Sequence, residues 1–162
     1  MDWFVKAFLK SSLAWLALGV TLGGAMAIHP QWIVYRPVHV HMNLLGFVTM
    51  MIYGVAYHVI PRFSGHPLRN ARAPRWHWWM SNLGLALMVV GFCVRAHALP
   101  VGTPLLATGG TLAAAGASTF VYVIWRTIDG PAGMRRAMQR TERAMTTSAR
   151  PRLPLAEKQN AG

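Results

Sequence analysis

The stretch that most constrains this chain runs from Pro37 to Pro61 and reads PVHVHMNLLGFVTMMIYGVAYHVIP. At 1.5 Å rise per residue, about 25 residues of helix cross a bilayer. Yet this segment carries His39, His41, His58 and Asn43 and no charged side chain. A titratable group at membrane depth costs free energy unless something engages it, so intramembrane histidines point to a ligand or a partner. Two positions along a helix turn the side chain by about 200°, so His39 and His41 leave opposite faces and serve different partners. His58 lies about 25 Å further along the axis, near the other surface, where interfacial water gives it a structural role.

With 54% hydrophobic and 12% charged residues in 162, the chain reads as one small membrane domain. Its apolar residues form four blocks at about 4–28, 37–61, 76–97 and 103–128. Residues 1–130 are therefore predicted to be an all-α, four-span membrane domain, and 131–162 a basic, partly disordered tail. The first block follows Lys6 and Lys10 like a signal peptide, but its apolar run is long enough for a retained helix. The net charge of +12 would suit nucleic acid, but the Lys and Arg residues sit between and after the apolar blocks. That placement sets membrane topology and excludes nucleic acid as a partner, leaving the lipid bilayer.

The N-terminus, the loop with Arg62, Arg69, Arg72 and Arg75, and the tail with Arg135, Arg136 and Arg140 hold most of the positive charge. Both termini are thus expected on the cytoplasmic side of a bacterial inner membrane. His29, His39, His41 and His97 then gather near the outer surface; His58, His66 and His77 lie toward the inner one, with His66 and His77 expected at the protein surface. Trp32, Tyr35, Trp76, Trp78 and Trp79 read as interfacial anchors, and Pro67 and Pro74 as helix breakers. Gly23, Gly24, Gly109, Gly110 and Gly116 suit close helix approach. The lone Cys93 reads as a small buried hydrophobe, and the methionines as packing.

The run His39-Val40-His41 followed by Leu44-Leu45-Gly46-Phe47, then Gly54, Tyr57-His58, Pro61-Arg62-Phe63 and Trp76-His77-Trp78-Trp79, resembles subunit I of the haem-copper oxidase superfamily. It is most similar to the C-type oxidases and nitric oxide reductases, over Pro37 to roughly Phe92, matching the last third of that larger subunit. The resemblance implies that His39 matches the high-spin haem ligand and His41 the low-spin haem ligand. It also makes Arg36, Trp32 and Arg95 candidates for the propionate side, with the opposing ligand either His39 or His41 of a neighbouring copy or His97 or His29 of the same chain. Departures accompany the match. No adjacent His-His pair occurs, no span carries an acid, and neither Tyr53 nor Tyr57 matches the family's cross-linked tyrosine.

The resemblance thus implies a b-type haem protein of respiratory electron transfer or diatomic gas binding, without a complete copper centre. One four-helix arc cannot easily enclose a haem, so a homo-oligomer is expected, a trimer being the leading form. An electron donor or a respiratory complex is the further partner. The alternatives are a cofactor-free accessory or assembly subunit and a copper-handling membrane protein.

Overall fold

The computed structural model describes residues 1–68, 72–130, 138–143 and 145. Helix α1 spans Trp3–Ile28; a three-ten turn, Pro30–Tyr35, leads into α2, Arg36–His41. A π-helical segment, Met42–Thr49, continues without a break into α3, Met50–Ser64. Two long helices follow, α4 over Arg72–Ala96 and α5 over Gly102–Asp129. Four spans, Trp3–Ile28, Pro30–Ser64, Arg72–Ala96 and Gly102–Asp129, are long and apolar enough to cross a membrane. No strand occurs among the described residues. The protein is therefore all-α and membrane-spanning.

The distribution of apolar side chains requires a lipid solvent. Leu13, Leu18, Ile52, Trp79, Leu83, Val90, Tyr122 and Trp125 all face outward, an arrangement that water would penalise and hydrocarbon does not. Inward, Phe4, Val5 and Phe8 of α1 pack with Met50 and Tyr57 of α3, Leu85 of α4, and Val123 and Ile124 of α5. Most of this core lies where the start of α1, the end of α3, the start of α4 and the end of α5 meet. The opposite end gathers the turn before α2 and the end of α4.

Glycines set how closely the helices approach. A Cβ on Gly84 would stand 2.8 Å from Ala113 N and 2.9 Å from Gly109 O, and one on Gly109 would stand 2.7 Å from Gly84 O. Helices α4 and α5 thus touch backbone to backbone, which is the most extensive pairing in the fold. Gly116 packs against Ser81 and His77 in the same seam, whereas Gly24 and Gly110 meet nothing within 4 Å.

Three local features depart from the sequence expectation. Pro61 does not end its helix: α3 runs on to Ser64 and stops at Gly65, whose φ of 69° is the left-handed conformation that glycine adopts without cost. Pro74 lies in the first turns of α4, where the missing N–H has little to bond. The π segment was not foreseen; in it Thr49 Oγ1 donates to Leu44 O at 2.8 Å, five residues back. Of the basic tail, residues 138–143 and 145 are helical, within a separate unit Gly130–Gly162. The rest of the tail, with Arg135, Arg136, Arg150 and Arg152, lies outside the described residues, as does Arg69.

Replacing Gly84 or Gly109 by Val should push two backbones apart and destabilise the protein by about 1–3 kcal/mol or more. Gly24→Ala, where there is open space, should leave the melting temperature in detergent unchanged.

Candidate functional site

His39 and His41 lie in α2, just before the π segment, and the helix turns them to different neighbours as the rotation requires. His39 faces α1. Its Nδ1 is 2.8 Å from Gly19 O, and its ring fills the notch at Gly23, where a Cβ would come within 2.6 Å of Cε1. Asn43, one turn on, donates from Nδ2 to His39 O at 2.8 Å and packs against Gly19. His41 instead faces α4, with its ring centroid 4.7 Å from that of Phe92. Its Nδ1 is 2.8 Å from Pro37 O, one turn back.

A carbonyl oxygen only accepts, so the 2.8 Å contacts favour a proton on each Nδ1, and the 3.4 Å approach of Asn43 Nδ2 to His39 Nδ1 is the longer, weaker one. Each Nε2 is then left with its lone pair, the state in which a neutral imidazole coordinates a metal and in which the second nitrogen fixes the ring. Two imidazoles in that tautomer, two residues apart, suit axial ligation of porphyrin iron, which needs one or two ligands and no larger cluster. Among the described residues, no group of three or more His, Cys, Asp or Glu side chains converges to hold a bare metal ion.

The other candidates divide by position. Arg36, Arg95 and His97 are exposed, and Trp32, 40% exposed, packs 5.3 Å from His29 and 6.3 Å from Tyr35 between ring centroids. His97 is held by Tyr35, with 3.0 Å between the hydroxyl and Nε2. The structure therefore brings Trp32, Tyr35, His29 and His97 into one polar aromatic group, while His97 Nε2 already has a partner. His58 pairs with Arg62, whose Nη1 is 2.8 Å from His58 Nδ1.

His77 corrects the sequence expectation. Rather than lying at the surface, it is 0% exposed, with Nδ1 3.0 Å from the Tyr57 hydroxyl and Nε2 buried without a partner. The rings of Phe8, Tyr53, Tyr57 and Phe120 surround it. The signal was present in the spacing, because Pro74, His77, Ser81 and Gly84 recur every three or four residues on the face that α4 buries. Starting that helix at Trp76 placed His77 at its mouth; starting it at Arg72 places it a full turn inside. His66, also expected at the surface, is half-buried with Nδ1 enclosed. Trp78 is no simple anchor, since its Nε1 donates to Ser11 Oγ at 3.0 Å.

Residues 31–100 match the family model described as Cytochrome C and Quinol oxidase polypeptide I. The chain is 26% identical over 117 residues to the Cbb3-type cytochrome c oxidase subunit CcoN1 of Stutzerimonas stutzeri, covering 67% of this chain and 24% of that protein. It is 26% identical over 115 residues to the cytochrome c oxidase subunit 1 of Rhodobacter capsulatus, covering 56% and 22%. A cytochrome c oxidase subunit 1 homolog of Azorhizobium caulinodans is 33% identical over 57 residues, 35% of this chain and 10% of its own length. The matches thus span about a quarter or less of the length of these curated relatives.

Tyr57→Phe should leave both nitrogens of the buried His77 without a partner and cost about 1–2 kcal/mol, read as a lower melting temperature in detergent. Tyr35→Phe, at the exposed group, should be nearly neutral.

Proposed function

We propose that this chain, a partial relative of haem-copper oxidase subunit I, is a b-type haem-binding protein of a bacterial inner membrane, acting in respiratory electron transfer or in binding nitric oxide or oxygen. The observation that carries this reading is the pair of 2.8 Å contacts from His39 Nδ1 and His41 Nδ1 to backbone carbonyls, which favour a proton on Nδ1 and leave Nε2 able to coordinate. When bound, haem supplies one-electron redox chemistry and, with an open position, a site for a diatomic ligand.

The chain's own residues divide the work of holding such a group. His39 is oriented by Gly19 O and by the notch at Gly23, so its ring loses little freedom on ligation. His41 is oriented by Pro37 O and walled by Phe92. Arg36, Arg95 and Trp32 are the candidates for holding propionate carboxylates. His41 stands on the face away from α1, so a second copy of the chain, with a trimer as the leading assembly, or a larger respiratory partner would complete the enclosure. Copper in place of iron is the lesser reading of the same imidazoles.

The test is the absorption spectrum of protein purified in detergent, oxidised and reduced, with and without carbon monoxide. A Soret band is expected, with His41→Ala removing the low-spin component. Gly23→Val, which drives a side chain into the His39 ring, should lose most of the haem, while Gly24→Val should keep it. A colourless protein from cells supplied with haem precursor would sink the proposal in favour of a cofactor-free accessory subunit. Copper without iron on metal analysis would favour copper handling.

A further inference from the structure

Span two, α4 and α5 leave a hollow between them that has no part in the reading above. It measures about 230 Å³ and is half enclosed, with Leu45 and Met50 of span two, Ser81 and Met88 of α4, and Gly110 and Ala114 of α5 on its walls. No lining residue is charged. The space exists because α5 lines it with small residues: a Cβ on Gly110 would meet nothing within 4 Å, whereas one on Gly109, its neighbour in the chain, would strike the backbone of α4. Ser81 lies nine residues beyond Arg72, the first of α4. That is about 14 Å along the axis, a depth inside the hydrocarbon.

One group in this lining is unanswered. A hydroxyl in a membrane helix ordinarily donates to a carbonyl three or four residues back. Ser12, Thr21, Thr108, Ser118, Thr119 and Thr127 all do so, at 2.7–2.9 Å. Ser81, only 7% exposed, makes no such bond and no other among the described residues. Two further lining residues carry hydroxyls. That of Thr49 is given to Leu44 O, and Tyr53 stacks its half-buried ring 4.4 Å from His77 and 4.5 Å from Phe120.

An O–H without an acceptor is costly in an apolar setting, and an occupant that brings an acceptor offsets that cost. Walls without charge take a neutral molecule, and mostly apolar walls a mostly apolar one. An apolar cavity of about 150 Å³ holds one benzene ring, so this hollow suits a single substituted ring. Acyl chains bring only methylene groups to this depth and leave the serine as it is. We propose that the hollow is a binding site for a neutral ring compound dissolved in the membrane, seated by a carbonyl oxygen that accepts a hydrogen bond from Ser81 Oγ.

The test is photo-cross-linking of the purified full chain in lipid nanodiscs with benzophenone, a diaryl ketone that attaches to nearby C–H bonds under long-ultraviolet light, mapped by peptide mass spectrometry. Adducts are expected on the lining, at Leu45, Met88 or Ala114, and should saturate with the mole fraction of ketone in the lipid. Ser81→Ala should raise the half-saturation point about threefold to tenfold, the effect of one hydrogen bond. In the native chain 4-tert-butylcyclohexanone should suppress the labelling, and tert-butylcyclohexane, the same ring without the oxygen, should do so several times less well; in Ser81→Ala that difference should vanish. Gly110→Leu, whose side chain enters the open space, should abolish the labelling. Adducts spread evenly over the lipid-facing residues, equal competition by the two ring compounds in the native chain, or a half-saturation point that Ser81→Ala leaves unmoved overturns the assignment and makes the hollow a groove for acyl chains. The Ser81→Ala comparison decides even if Gly110→Leu does not fold.

Discussion

In hydrocarbon, a side-chain N–H or O–H is answered from within the protein or not at all, and that constraint organises this fold. Ser12 bonds back to Leu9 O, Trp15 Nε1 reaches Asn82 Oδ1 on α4, Trp78 reaches Ser11 on α1, and His39 reaches Gly19 O. The last three of these bonds tie α1 to span two and to α4 where dispersion alone would not choose a register. Because the solvent offers no competing donors or acceptors, each bond also sets the state of the group that makes it. The same contacts that hold the helices together decide which nitrogen of His39 carries a proton.

Glycine is what allows those bonds to form. Gly19 and Gly23 give Asn43 and His39 the room to lie against α1, and Gly46 brings span two against Trp15 and Leu85, where a Cβ would come within 2.5 Å of Trp15 Cβ. The small residues of α5 were expected from sequence to meet other helices, and Gly109 and Gly116 do so within the chain, against α4. The candidate haem ligand and the helix weld therefore rest on one device, the removal of a Cβ where something else has to fit.

The four spans were legible because about twenty apolar residues in a row have few other uses. His39 and His41 were legible because imidazole in such a run is costly, and the two-residue rotation that separates them needs only helix geometry. What escaped notice depended on contacts between distant segments. His77 sits beside a basic loop in sequence, and only the packing of Phe8, Tyr53 and Phe120, from three other helices, buries it. The π segment leaves no mark in composition. Pro61, at the expected bound of span two, lies inside α3, which stops only at the left-handed Gly65.

The backbone contact of α4 with α5 also bears on how the chain is made. These two helices follow one another through a short turn, and α1 is likewise joined to span two by the short Pro30–Tyr35 turn. Each half is thus a hairpin of sequence neighbours whose closest contacts are local, the topology that forms fastest. During synthesis the first hairpin can close on Gly19 and Gly23 before α4 has emerged, so the imidazole of His39 can take up its orientation in a half-built protein, whereas His41 meets Phe92 only when the second hairpin docks.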